Sequence, residues 1–399
     1  MYRRNHYLKK IKPFIDKPVI KIIIGMRRVG KSVLMKQIVE LLKEQNVSSE
    51  NILYLNMESL ENDYIKNYND LHNVYLQKFQ TIKDSRYLLI DEVQTIDNWE
   101  KTINSILSEG DTDIYITGSN STILSSELST LIAGRYVKFE IFPLSFSEFL
   151  LFRDKNCGKP KDEFKKYLRY GGLPAIHYFE MNDDIVYQYI NSIYDTILLK
   201  DIIERNKIRN INLLENVYKY IFDNIGNIFT AKKIVDYLKS QRVKVSVPTV
   251  QNYLTLLTKT FTAYKVHRYD LKGKRILELY EKYYAGDIGL RNSILGYKDN
   301  DIAGLLENIV YLELLKRGYK VNIGKIKELE IDFVTEKNGN IEYYQVSYLL
   351  ASTKTIEREI APLKKIEDNY PKYILTLDEY LEKNHEGIIY KNLIDFLLE

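Results

Sequence analysis

VIKIIIGMRRVGKS, Val19 to Ser32, joins an apolar run to the pattern G-x-x-x-x-G-K-[ST], and SVLMKQIVELLKEQ, which starts at the same Ser32, has the spacing of a helix. A buried strand, a glycine-bracketed loop and a helix are the setting in which that pattern has a mechanism. Gly25 and Gly30 permit backbone angles that turn consecutive N–H groups inward, toward phosphate oxygens. Lys31 supplies a point charge for the β- and γ-phosphates, Ser32 can coordinate magnesium, and the new helix presents its positive end to the nucleotide. Gly25, Arg27, Arg28, Gly30, Lys31, Ser32 and Val33 are therefore the candidate nucleotide-binding residues, with ATP and Mg2+ as the expected cofactors.

About sixty residues downstream, YLLIDE (Tyr87 to Glu92) is an apolar strand ending in two acids, the partner such a loop needs. One carboxylate holds the metal shell and the other polarises water; Asp91 is the expected metal-shell residue and Glu92 the general base.

The first 145 residues alternate short apolar runs with helical patterns, which predicts an α/β fold with a parallel sheet flanked by helices. The strands are VIKIII, NILYLNME, YLLIDE, DIYITGS and YVKFEIF. The fourth ends at Thr117, Gly118, Ser119 and Asn120, where a polar side chain can orient the attacking water. A helix-like stretch, STILSSELSTLIAG, follows, and then Arg135 directly before the fifth strand.

Composition narrows the function classes. The single cysteine, Cys157, excludes an intramolecular disulfide framework and a cysteine-rich zinc site, and the five histidines are scattered, so no structural metal is expected. The basic start MYRRNHYLKKIKPF lacks the apolar centre of a signal peptide, and no apolar run is long enough to span a membrane. A cytoplasmic protein without a membrane partner is the expectation.

GMRRVGKS, LLIDE, ITGSN, AGRY and PLSFSEFL together resemble the AAA-type P-loop ATPases of bacteria and archaea that carry a C-terminal domain of unknown function, over nearly the whole chain. The resemblance implies an ATPase. It gives Asn120, with Ser119 as the alternative, the role of first sensor, and gives Arg135 the place of an arginine that reaches a neighbouring subunit's nucleotide, hence a homo-oligomer. A surface salt bridge is the other reading of Arg135. After the core, residues 1–145, the resemblance implies a helical lid over 146–210, whose Gly171-Gly-Leu-Pro174 is either a nucleotide contact or a turn between helices.

Residues 211–290 read as a winged helix: LLENVYKYIFDNI, TAKKIVDYLKS and VPTVQNYLTLLTKT as three helices, then FTAYKVHRYDLKGKRILEL as two strands around a Lys-Gly-Lys turn. Between Thr230 and Arg275 there are eleven Lys or Arg against two acids, a local +9 in a chain of net charge +4, so the remainder is about −5. Such polarity is the electrostatic footprint of a phosphate-backbone partner, with DNA the expected one. Thr249, Gln251 and Asn252 are placed to face bases, Lys239, Arg242 and Lys244 to contact phosphates, and Lys272, Lys274 and Arg275 to hold the flanking backbone. A protein-binding module with a solvated charge run is the alternative.

Residues 291–399, with Glu307 on a helix, Asp332 at a strand end and Gln345 and Ser347 on the next strand, resemble the restriction-endonuclease-like fold. That fold builds its magnesium site with a Glu-x-Lys triplet. Here the triplet is Gln-Val-Ser, which removes a charged ligand and the lysine, so nuclease activity is not expected. The favoured function is an ATP-driven switch or motor acting on DNA. An ATP-gated nuclease and a signalling NTPase scaffold with a protein partner are the alternatives.

Overall fold

Five strands, β1 (Ile20–Ile24), β2 (Ile52–Asn56), β3 (Arg86–Asp91), β4 (Thr112–Gly118) and β5 (Tyr136–Glu140), form one sheet in the order β2-β3-β4-β1-β5, parallel at every pairing. The computed structural model describes residues 2–124, 134–154, 157–350, 352–379 and 384–399, apart from the side chains of 122, 124, 277–280 and 353. The chain divides into two compact units, Met1–Ile141 with Lys259–Phe261, and Phe142–Thr258 with Thr262–Glu399.

In the first unit α1 (Asn5–Ile11), α2 (Lys31–Glu44), α3 (Tyr68–Phe79) and α4 (Trp99–Glu109) accompany the sheet. β1 and β4 are buried along their whole length, as central strands covered on both faces are, which is why they read as unbroken apolar runs. Ile24 pairs with both Gly118 and Glu140, so the strands end together and their C-terminal loops share one edge. Of the predicted helix STILSSELSTLIAG, Ser121–Leu124 form a short 3-10 turn, and residues 125–133 lie outside the described residues.

Lys21 interrupts the apolar run of β1 and is fully buried. It is ion-paired with Asp113 of β4, which also accepts from the Tyr115 hydroxyl (2.7 Å) and the Asp16 amide (3.1 Å). Burial lowers the Lys21 pKa, against the pull of Asp113, and raises that of Asp113, against the pull of Lys21. The network ties the segment before β1 to the middle of the sheet.

The second unit opens with α5 (Phe146–Arg153), α6 (Pro160–Tyr170), α7 (Asp183–Thr196), continued by a π-helical stretch Ile197–Glu204, and α8 (Ile211–Asp223). Then come β6 (Ile228–Phe229), α9 (Ala231–Ser240), α10 (Val247–Lys259), and the hairpin β7 (Ala263–Asp270) and β8 (Arg275–Ala285), with β6 antiparallel to β8. α11 (Ile288–Leu295) and α12 (Ile302–Lys316) lead to β9 (Lys320–Ile326), β10 (Leu329–Lys337) and β11 (Asn340–Ser347). α13 (Thr353–Lys364), β12 (Lys372–Thr376), β13 (Asn384–His385), β14 (Ile388–Asn392) and α14 (Leu393–Leu398) complete the chain.

Strands β6 to β14 form a single nine-stranded sheet, ordered β13-β14-β12-β11-β10-β9-β7-β8-β6. It is continuous across residue 290, because β7 pairs in parallel with β9 through Arg268–Ile323, Tyr269–Gly324 and Asp270–Lys325. Asp332 does not end its strand. It lies inside β10, at a register shift between Ile331 and Val334.

Gly171-Gly-Leu-Pro174 is a packed junction. The Gly172 amide donates to Asp287 Oδ2 (2.7 Å), and a Cβ on Gly172 would stand 2.3 Å from the Leu144 carbonyl oxygen. Asp287 in turn caps α11 by accepting from the Leu290 amide at 3.0 Å. Burial pushes its carboxyl up to about 6, although three backbone amides pull the other way.

Candidate functional site

The loop after β1 is shaped by its glycines. A Cβ at Gly25 would lie 2.2 Å from the Ile141 carbonyl oxygen, so the backbones touch where any side chain would separate them. Gly30 has a left-handed φ of 97° and begins α2 with no side-chain cap and no acid in the first turn. The first amides of α2 therefore have no side chain of their own to satisfy them, which is how a helix receives phosphate. The described residues fit a nucleotide and magnesium by this chemistry: an uncapped helix end, a cradle that a Cβ would fill, Lys31, the Ser32 hydroxyl and the Asp91 carboxylate.

Lys31 is buried, with Nζ 3.0 Å from the carbonyl oxygens of Gly25 and Met26 and 3.9 Å from Glu92 Oε1. Loop and acidic strand are thereby linked through one ammonium. Asp91, at the end of β3, accepts from the Thr117 hydroxyl and, at 3.4 Å, from the Tyr54 hydroxyl. The Thr117 hydroxyl also accepts from the Glu92 amide (2.9 Å), so a single β4 side chain registers both acids. Glu92 has a left-handed φ of 59° and its Oε2 accepts from Gln94 Nε2 and, at 3.2 Å, from the Ser119 hydroxyl. Such a backbone is costly for a residue other than glycine, and here it is held by the neighbours on both sides.

The structure brings Gly25, Gly30, Lys31, Ser32, Asp91 and Glu92 to one edge of the sheet with Ser119 and Asn120, both buried. Ser119 makes the hydrogen bond to Glu92, with Asn120 next to it in the bend after β4. Arg27 pairs with Glu58 at 3.3 Å, Arg28 occupies the left-handed region at φ 67°, and Val33 lies in the first turn of α2. Arg135 is not gathered there. It is exposed at the start of β5, where its carbonyl accepts from the Ile20 amide (2.8 Å), at the opposite end of β1 from the phosphate loop. Five residues at about 3.3 Å each put those ends about 16 Å apart.

Sequence reading missed the supports of this site. Arg4, treated there as part of a basic start, is buried, and its Nη1 donates to the Val29 carbonyl at 3.1 Å inside the phosphate loop. Its backbone amide donates to Gln37 Oε1 of α2, also at 3.1 Å. The 3/4 spacing of Arg4, Tyr7, Leu8 and Ile11 was the available signal, since it puts these residues on one helix face. Gln94, two residues after Glu92, left no pattern at all.

In the second unit Glu307 of α12 and Asp332 of β10 face one cavity of about 350 Å3, also lined by Gln345, Glu359, Arg291 and Asp301. A buried lysine from the hairpin, Lys282 of β8, places Nζ 2.8 Å from Glu307 and 2.6 Å from Glu330. Burial opposes its charge, but Glu307, Asp332 and Glu330 together hold its pKa above the ordinary lysine value. Glu307 also accepts from the Tyr284 hydroxyl. Gln345 is used structurally: Oε1 accepts from the Asp332 amide (3.3 Å) and Nε2 donates to Glu359 Oε2 (2.9 Å). Among the described residues no group of three or more His, Cys, Asp or Glu is arranged to hold a metal ion.

On the basic segment, Gln251 and Asn252 are exposed on α10, whereas Thr249 is half-buried, with its hydroxyl 2.8 Å from that of Ser246. Lys239, Arg242, Lys244, Lys272, Lys274 and Arg275 are exposed and have no ion-pair partner among the described residues. No helix among those residues is long and apolar enough to cross a membrane.

The sequence profile of the AAA domain matches residues 17–150, and that of a domain of unknown function matches residues 161–301. An uncharacterized protein of Haemophilus influenzae is 39% identical over 402 residues, covering 100% of this chain and 99% of its own. One from Methanocaldococcus jannaschii is 34% identical over 361 residues, 87% of this chain and 78% of its own. Among solved structures, the Aeropyrum pernix ORC1 protein in complex with DNA aligns over 76% of this chain and 94% of that one, at 11% identity and a TM-score of 0.30, too loose a likeness to carry a conclusion here. Identity sustained along the whole chain, the AAA-domain match and a phosphate loop on a parallel five-stranded sheet agree: the chain belongs to the family of these bacterial and archaeal proteins, AAA-type P-loop ATPases with an appended domain of unknown function.

Proposed function

We propose that this protein is an ATP-hydrolysing switch or motor that transmits its nucleotide state to DNA. The observation that carries the enzymatic part is the gathering of Lys31, Asp91, Glu92 and Thr117 into one bonded group at the mouth of the phosphate loop. In this reading Gly25, Arg27, Arg28, Gly30, Lys31, Ser32 and Val33 bind ATP, and Ser32 and Asp91 hold Mg2+, which supplies charge neutralisation between the phosphates. Glu92 accepts the proton of the attacking water, and Ser119 and Asn120 fix where that water and carboxylate stand.

The DNA-binding part rests on residues 211–290 as a winged helix. Three helices, a short strand after the first of them and a terminal hairpin follow one another, with β6 closing on β8, and this order supports the reading. Exposed cations on α9, on the α9–α10 connection and at the hairpin turn, without an ion-pair partner among the described residues, support a phosphate-backbone partner. Residues 291–399 belong to this reading as a restriction-endonuclease-like module that does not cut, since neutral Gln345 stands where a charged ligand is needed and is engaged by the Asp332 amide and Glu359.

The test is ATP turnover with and without duplex DNA, combined with duplex affinity over a salt series. Turnover is expected to rise with duplex, and with four to six phosphates neutralised log affinity should fall with log salt at a slope of roughly −4 to −5. Turnover indifferent to DNA, with no binding at low salt, would replace DNA by a protein partner.

Arg135 belongs to the same proposal as a group acting across a subunit boundary, which suits its exposure at the far end of the sheet. Arg135→Ala protein should bind ATP normally and hydrolyse it about a hundredfold or more slowly. Mixing it with Lys31→Ala protein should restore part of the activity at hybrid interfaces. A monomer in sedimentation and no rescue at any ratio would leave Arg135 a surface residue.

A further inference from the structure

We propose that the DNA-binding face does not end with the hairpin but continues onto the C-terminal half of the chain, where Lys325 and Lys327 contact the phosphate backbone beside Lys272, Lys274 and Arg275. This rests on the DNA reading above and adds a second segment to it, from a region whose sequence drew attention for its acids and for Gln345 and Ser347.

The geometry comes from strand pairing. β7 and β9 are parallel neighbours, registered Arg268–Ile323, Tyr269–Gly324 and Asp270–Lys325, and the Leu271 amide extends the ladder to the Lys325 carbonyl at 3.0 Å. Each strand then reverses into its own antiparallel partner, β8 and β10, through turns at residues 271–274 and 327–328. Parallel strands that end level must turn at the same edge, and adjacent strands are about 4.8 Å apart, so the two turns stand side by side within the spacing of neighbouring phosphates.

Their chemistry matches. Lys272, Lys274, Arg275 and Lys327 are exposed and Lys325 is half-exposed, and none has an ion-pair partner among the described residues. Against these five cations the two turns and their flanking pairs carry the acids Asp270, Glu328 and Glu330, the last opposite Lys325 and bound to Lys282. Other lysines of the same half are neutralised, Lys364 by Glu386 and Lys391 by Glu399. Lys274 (φ 48°) and Lys327 (φ 55°) both occupy the left-handed turn position, where glycine or asparagine would be easier to accommodate. The turns are also anchored, since Tyr269, Leu271 and Ile326 pack on the core formed by Ile331, Val334, Tyr343 and Ile360. Cations held at fixed positions lose little freedom on binding a regular polyanion.

The experiment is fluorescence anisotropy of a short labelled duplex with full-length protein across a salt series. Lys325→Glu/Lys327→Glu should weaken binding about tenfold or more, and even the neutral pair Lys325→Gln/Lys327→Gln should flatten the salt slope by up to about 2, at 0.9 per phosphate lost. ATP affinity, read in parallel, should not move. If Lys272→Glu/Lys274→Glu weakens binding while both Lys325/Lys327 pairs bind as wild type does, the extension is wrong and the DNA reading stands. A loss of equal size from Lys43→Glu, on exposed α2 surface of the other unit, would reduce the effect to net charge and overturn the extension. No duplex binding by wild-type protein would overturn both.

Discussion

Lys31→Ala protein is expected to lose ATP binding, and with it turnover, whereas Glu92→Gln protein is expected to bind ATP as wild type does and to hydrolyse it about 10²- to 10⁴-fold more slowly. The split follows from what each group meets. The Lys31 ammonium is fixed on the carbonyl oxygens of Gly25 and Met26, and in the proposed mechanism it meets phosphate charge already present in the bound ground state. In the proposed mechanism Glu92 matters only when water attacks, where its carboxylate would be the proton acceptor. Glutamine keeps the size of the side chain and an oxygen able to accept from Ser119 or Gln94, so the left-handed turn at Glu92 should survive the change. Equilibrium binding of a labelled nucleotide and phosphate release, measured on the same samples, separate the two roles. Undiminished phosphate release by Glu92→Gln would remove its assignment as general base, and normal nucleotide affinity in Lys31→Ala would remove that of Lys31.

Lys282→Met should unfold the second unit about 10 °C lower than wild type. Lys282 is a buried cation between Glu307 and Glu330, with Asp332 close enough to raise its pKa. Removing it leaves these acids to repel one another, and stripping one partner from a buried ionic group costs about 3–5 kcal/mol, each worth about 2–4 °C in a unit of this size. The loss should depend on pH with a definite sign. Burial and the neighbouring Glu307 hold the Asp332 carboxyl well above the usual carboxylate range, against the opposing pull of Lys282. A carboxyl raised in the folded state supports folding while protonated and withdraws that support as pH rises from its unfolded value near 4 through its folded one. Without Lys282 the folded value rises further, so the deficit should grow as pH rises through the wild-type folded value. The double variant Lys282→Met/Glu307→Gln should recover part of it. Calorimetry showing a small, pH-independent deficit for Lys282→Met would mean that the acids do not depend on this lysine.

Where a motif is contiguous, the chain announces it. VIKIIIGMRRVGKS contains its own strand, loop and helix start, and each apolar run predicted in the first 145 residues is a strand within a residue or two of its expected limits. The same holds for the three helices between Ile211 and Lys259, which repeat apolar residues at helical spacing. The hairpin shows the limit. Reading it as far as Leu279 missed that β8 runs on to Ala285, because EKYYA mixes charge with aromatic rings and gives no clean alternation. Those last residues carry Lys282 and Tyr284, both bound to Glu307.

The sequence by itself determined the strand-loop-helix of the phosphate site, the acidic strand that accompanies it and the concentration of positive charge between Thr230 and Arg275, because each is written in neighbouring residues. Only the tertiary structure decided which groups far apart in the chain meet. Thr117 registers both acids, Arg4 braces the loop from the N-terminal side, Asp287 receives Gly172, and Lys282 lies among Glu307, Glu330 and Asp332. The physical reason is that local periodicity fixes what a segment becomes, whereas strand order and register fix its neighbours. A parallel pairing such as β7 with β9 leaves no mark in either strand's own residues.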